Sequence, residues 1–333
     1  NMVVYTGGSS SLMYGYETTF GTAASAITNI FGLQQKVSSL TLGNSRIDLN
    51  KLGQVEPTKF AYGQQQGACS VGFVIDNGDS HKIFESLYGA PAGSGTSVSP
   101  YLYPTALGQG NVSPTVKSLT TQVSLQTGAD TLVRTLKGCV VNSIGLSTSI
   151  GETLNATIDM TFGKEDSAAV ATSSSTITQQ DAGTVDQAAT PYTFAHGELK
   201  VSNGTAPQTV AEIQDVDITF AQNSELLYGL NSNSAIDAFR RVFEITGKFR
   251  TAWKDSSLIQ YVIDQIRTGQ ELLDTTSGVG VELTFTNGTK SIKIELDDLS
   301  VADHSVSGIE PVEPVFEEIN WKIKSSRITV VNA

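Results

Sequence analysis

Hydrophobic residues in this chain recur most often at every second position. Cys69, Val71, Phe73 and Ile75 share one face of an alternating stretch, and Leu154, Ala156, Ile158, Met160 and Phe162 share another. Ile319, Trp321 and Ile323 repeat that second pattern near the end of the chain. A two-residue period predicts strands with one buried face. Further strands are predicted at 36–42, 117–126, 131–137 and 139–148. Segments 279–285 and 291–296 flank Asn287-Gly288, a dipeptide suited to a tight hairpin turn; Asn203-Gly204 offers a second such turn. Helical spacing appears at Ile83, Phe84, Leu87 and Tyr88, and again at Leu258, Ile259, Val262, Ile263 and Ile266.

The two helical stretches sit in matching contexts. Residues 69–89 and 243–266 each read as an alternating strand, a polar turn and a short amphipathic helix. Val216, Ile218 and Phe220 echo Val37, Leu40 and Leu42, with a one-residue offset that a β-bulge would absorb. These echoes predict two related units, and related units favour symmetric assembly. The expected fold class is mainly β, with two tandem sandwich or barrel domains, each carrying a short flanking helix. The expected organisation is an N-terminal arm over 1–33, a first domain over 34–165, a linker or long loop over 166–190, and a second domain over 191–333. The arm is rich in Gly, Ser, Thr and Ala. Its aromatic residues Tyr5, Tyr14, Tyr16 and Phe20 are expected to dock on something, a neighbouring subunit included, as is the Gly/Ser/Pro-rich loop 90–115.

Composition narrows the functional classes. The net charge is −12, which disfavours tight binding to nucleic-acid phosphates, since that requires clustered cations. Charged residues make up 16% of the chain against roughly 25% in ordinary soluble domains. Small neutral polar residues fill the gap, as suits a β-protein that covers its surface with copies of itself. No apolar run is long enough to span a membrane as a helix, and no secretory leader is visible. Cys69 and Cys139 read as small buried hydrophobes, and their spacing leaves a disulfide open.

Catalytic chemistry finds little support. There is no G-x-S-x-G elbow, phosphate loop or H-E-x-x-H. Asp79, beside Ser80 and His81, reads as a helix N-cap; His196 and His304 read as surface or interface residues in polar turns. Glu295, Asp297 and Asp298 lack the spacing of a calcium loop and read as a solvated or lumen-facing strand edge. Trp253 and Trp321 lie on strands where burial is expected. Asn111, Asn155, Asn203 and Asn287 head glycosylation triplets, two of which hairpin turns explain. No catalytic, cofactor or metal residue is assigned.

Three motifs, taken in order, carry a resemblance: Y-G-Y-E-T-T-F-G-T-A from Tyr14; G-A-C-S-V-G-F-V-I-D-N-G followed by I-F-E-S-L-Y-G; and the long L-K-G-C…G-E-T…M-T-F-G-K-E run from Leu136 to Glu165. The chain resembles the tail tube proteins of long-tailed viruses of bacteria and archaea. The resemblance implies a structural virion protein of the tail, assembled in the host cytoplasm as stacked rings around a channel for the genome. It implies, as partners, further copies of the chain, a tape measure protein, tail-end proteins and viral DNA in passage, with no membrane. Six equivalent domains usually complete a ring in such tubes, so two domains per chain favour a trimer over a hexamer. Channel strands are expected near 37–50 and 216–227, with more Asp and Glu than Lys and Arg facing inward. The competing reading is a cell-surface adhesin or filament subunit, followed by a carbohydrate-binding sandwich.

Overall fold

The computed structural model describes residues 11–49, 52, 56, 59–108, 110, 112, 115–127, 130–165, 170–172, 189–201, 208–210, 213–252, 280–310 and 314–332. The alternating segments form strands. In the first part of the chain these are β1 (Ser11–Tyr16), β2 (Leu33–Leu49), β3 (Lys59–Val74), β4 (Tyr101–Tyr103), β5 (Leu119–Thr127), β6 (Asp130–Ser149), β7 (Asn155–Glu165) and β8 (Val170–Thr172). The second part adds β9 (Gly197–Val201), β10 (Gln208–Val210), β11 (Ile213–Ala221), β12 (Ser224–Tyr228), β13 (Ala235–Arg240), β14 (Glu244–Ala252), β15 (Val281–Asn287), β16 (Lys290–Ser307) and β17 (Phe316–Val331). A 3₁₀ turn at Asp79–Phe84 runs into α1 (Glu85–Tyr88), as the first helical spacing predicts. The second predicted helix lies outside the described residues.

Among the described residues all pairings are antiparallel, and fifteen strands share one sheet. Within it the order β1-β5-β6-β7-β3-β2 recurs as β9-β15-β16-β17-β14-β11. Irregularities recur at matching points. The β6–β7 ladder passes over Gly138 at φ 60° and shifts register between Val141 and Ser143. The β16–β17 ladder passes over Asp298 at φ 53° and shifts between Val301 and Asp303, 160 residues further on in both cases. β2 carries a register shift between Val37 and Ser39, where the one-residue offset against Val216 and Ile218 calls for a bulge. The two sets are joined by β11, which pairs with β14 on one side and with Ser143–Ser149 of β6 on the other.

One face of the sheet is the core. Val71, Ile158, Phe162, Ile144, Ile218, Phe220 and Ile245 are all at most 1% exposed. Two large rings need glycines opposite them. A Cβ on Gly67 would lie 2.0 Å from the Phe162 ring, and one on Gly247 would lie 2.4 Å from the Trp321 ring. Trp321 is buried as expected; Trp253 lies outside the described residues. The 287–290 hairpin forms with Asn287 paired to Lys290, so Gly288 (φ 66°) takes the first central position, one residue later than the sequence places it.

The N-terminal segment corrects the expectation of an unfolded arm. Ser11–Tyr16 is a strand on β5, with Tyr14 fully buried against Phe31. The Tyr-Gly-Tyr-Glu motif explains this. Gly15 packs where a Cβ would strike the Ala26 carbonyl at 2.0 Å. The buried Glu17 carboxylate accepts hydrogen bonds from the Ser118 and Thr120 hydroxyls and from the Gly21 and Gly138 amides. Phe20 covers Gly138. The motif is therefore a clamp that ties strand, loop and bulge together. The loop 90–115 is also held by its own chain, since β4 pairs with Ile328–Val330 of β17.

His81, in the helix-start turn, is buried. The Asn332 amide donates to its Nε2 at 3.0 Å, so Nδ1–H donates to the Tyr103 hydroxyl at 2.9 Å, and Tyr101 stacks on the ring. Asp79 is not the N-cap. Gly78 holds that position, and Asp79 pairs with Lys82 at 2.8 Å. Burial lowers the His81 pKa from 6.5 to about 4, with Asp79 acting in the opposite sense and Lys82 reinforcing it. The unfolded chain thus binds a proton that the fold refuses between these values, so stability falls as pH drops from 6.5 towards 4. The full effect is on the order of 3 kcal/mol. Denaturant melts at pH 7.5 and 4.5 should show this loss, and His81→Gln should remove that part of the slope.

Candidate assembly surface

The residues singled out for chemistry do not converge. His196 closes a short 3₁₀ turn and receives the Thr193 amide, while His304 stands on β16, 3.0 Å from buried Glu317, and not in a turn. Glu295 is 3% exposed and Asp297 5%, which corrects the reading of a solvated edge. Burial raises the Glu295 carboxyl, but bidentate Arg327 and nearby Lys293 outweigh it and leave the pKa low. Among the described residues no cluster of three or more His, Cys, Asp or Glu has metal-site geometry. Cys69 and Cys139 are free and buried, and burial pushes the Cys69 thiol up to about 11. A cleft between Phe194, Leu199, Val216, Leu283 and Phe285 is mainly apolar and gathers no titratable pair.

What the fold leaves incomplete is its edges. Among the described residues β2 pairs only with β3 and ends the path of the sheet. Among the described residues, Asp303–Ser307 of β16 pairs with β17 and with no other strand. Open strand edges of this length template pairing with another chain unless something covers them. β2 and β3 also run out together as a long hairpin beyond the sheet. It exposes Leu42 (44%), Ile47 (56%), Leu49 (47%), Phe60 (51%) and Tyr62 (71%). Arg46 and Asp48 pair at 3.0 Å, with the Arg46 guanidinium over the Phe60 ring. β12 and β13 form the counterpart hairpin, broken from β11 at Asn223 (φ 49°) and laid back on the chain. It is held there by Ser224 to the Val141 carbonyl, Tyr228 to the Gln65 carbonyl and Arg240 to the Leu87 carbonyl. The correction to the sequence reading here is that 224–228 leaves the main sheet; 213–221 stays in it.

The sheet face opposite the core is polar and low in bulk. It carries Ala68, Ser70, Gly72, Ser143, Gly145, Ser147, Thr157, Thr219 and Thr246. On the strands from β2 to Asp303–Ser307 of β16, its charges among the described residues include Asp159, Asp215, Asp217, Glu244, Asp303 and Glu318 against Lys36, Lys248, Arg250, Lys322 and Lys324. Lys248 lies 3.4 Å from Asp217 and 3.6 Å from Glu318, and Lys322 lies 2.6 Å from Glu244. The net charge of the chain is therefore not concentrated on this face.

The family model described as phage tail tube protein matches residues 7–323, nearly the whole chain. The chain belongs to the phage tail tube protein family. A search of curated proteins gave no match. A tail tube protein is a structural component of the virion tail and assembles with copies of itself into a tube, which accounts for open sheet edges that a free-standing enzyme would leave exposed to aggregation. The hairpin tip was the part of this surface that sequence reading missed. Its signal was present, in Ile47, Leu49, Phe60 and Tyr62 flanking a polar stretch, but alternation alone does not distinguish a face buried in the chain from one buried in an assembly.

Proposed function

We propose that this tail tube protein consists of two sibling modules, and that three copies close a ring whose stacked repeats enclose the passage for viral DNA. The single observation that carries this reading is the recurrence of one strand order in two sets, with β2 and Asp303–Ser307 of β16 each paired on one side among the described residues. From β16 to β2 the sheet runs through eight strands, so three copies supply 24. Strands ~4.8 Å apart and tilted by ~40° then form a cylinder about 50 Å across at the backbone. That leaves room for a duplex, and closure removes both open edges.

The polar face would line the passage. Its small hydroxyl and glycine surface offers DNA no cation cluster to hold phosphate. The six carboxylates and five cations named on it give only a narrow acidic excess, and Asp217, Glu318 and Glu244 are paired with Lys248 and Lys322. Low adhesion on this reading comes from neutrality more than from repulsion. A tape measure protein inside the tube and tail-end proteins complete the proposed partners, with no membrane.

Electron microscopy of concentrated protein tests the proposal. Hollow tubes are the expected result. Solid fibres would favour the filament-subunit reading, and dispersed monomers at high concentration would argue against both.

A further inference from the structure

We propose that His81 is a proton-operated latch: when its imidazole takes up a proton, β4 and the loop that carries it, residues 92–103, peel from β17 while the rest of the chain stays folded. Three distant segments meet at this ring. The 3₁₀ turn supplies His81, β4 supplies Tyr101 and Tyr103, and the end of the last strand supplies Asn332. The other backbone ties of β4 are short. It is three residues long and pairs with Ile328–Val330. Its loop closes through the Ala92–Leu102 bridge and through the Asn332 backbone amide, which donates to the Gly95 carbonyl at 2.9 Å. β17 itself is held at this end by β16, where Ile292 pairs with Val330 and Ser291 with Val331, so β4 is the piece that can leave.

The hydrogen-bond pattern suits the neutral ring alone. The Asn332 side-chain amide points its NH₂ at two acceptors, His81 Nε2 at 3.0 Å and the Gly78 carbonyl at 3.4 Å. A proton on Nε2 sets donor against donor. Turning the amide over sets its oxygen against the Gly78 carbonyl instead, so neither orientation serves both partners. The groups that face the ring give the charge little help. Its own turn brings Asp79 and Lys82, themselves paired at 2.8 Å, and β4 brings the rings of Tyr101 and Tyr103. Glu85, near Tyr103, is paired with Lys117, and Ile328–Asn332 carries no charged side chain. His81 is 2% exposed, so an imidazolium there reaches water only when the segment stacked on it moves away. The buried ring titrates near 4 and a free one at 6.5, so opening takes up a proton and is favoured as pH falls through that window.

Pepsin cleavage of the full, unassembled chain tests the latch, because Tyr101-Leu102-Tyr103 is a sequence that this protease cuts readily once exposed. The initial rate of that cut is read by mass spectrometry and divided by the rate for a free peptide of residues 97–107, which removes the pH dependence of the protease. The ratio should rise about tenfold from pH 5.5 to pH 4.2, the change in open fraction that 6.5 and about 4 imply. His81→Gln keeps an acceptor for the Asn332 amide and takes no proton, so its ratio should rise by less than about twofold. A flat ratio in the unaltered chain overturns the latch, and so does an equal rise in His81→Gln. Early cuts within β6 and β7 that rise in step with it mean that the proton loosens the whole chain, which overturns the local release.

Discussion

Trp321→Ala lowers the unfolding free energy by about 3–5 kcal/mol, the range for deleting a large buried aromatic ring. The indole is 2% exposed and lies centrally in β17, between β14 and β16. It fills the space over Gly247, where a Cβ would also meet the Asp217 carbonyl at 2.4 Å, so the backbone beneath cannot move in to close the cavity. Gly247→Ala should be nearly as damaging for the opposite reason, since the ring or the strand must shift. Urea denaturation of the unassembled chain measures both. A loss below 1 kcal/mol for Trp321→Ala would mean that the ring is not part of a close-packed core.

Ile47→Glu with Leu49→Glu should abolish tube growth while leaving the fold almost unchanged. Both side chains are about half exposed at the hairpin tip, so each substitution costs the chain no more than ~1 kcal/mol through strand preference. If these apolar side chains are covered in the tube, as their exposure in the single chain suits, the substitutions remove that contact and put two charges in its place. Sedimentation and microscopy should find folded monomers at concentrations where the unaltered chain forms tubes. Normal tube yield from this variant would exclude the hairpin tip from the subunit contacts.

The sequence made the strands legible because alternation is a local signal. Phe162, Ile158, Ile319 and Trp321 were placed on buried faces by period alone, and the bulge before Ser39 was visible as an offset between Val37 and Val216. The clamp around Glu17 was not legible. Its partners Ser118, Thr120 and Gly138 lie more than a hundred residues away, and a Gly/Thr-rich stretch reads as a loop unless those contacts are known. The burial of His81 was not legible for a related reason. Its polar neighbours Asp79, Ser80 and Lys82 mark a surface turn, but Tyr101, Tyr103 and Asn332 arrive from distant segments and bury it.

Counting chains in one ring of the assembled tube, by image averaging of electron micrographs, tests the central claim most directly. Three chains per ring, with density continuous from β2 of one copy to β16 of the next, is the result this account predicts. Six chains per ring, or a ring in which β2 and β16 face solvent, would contradict it.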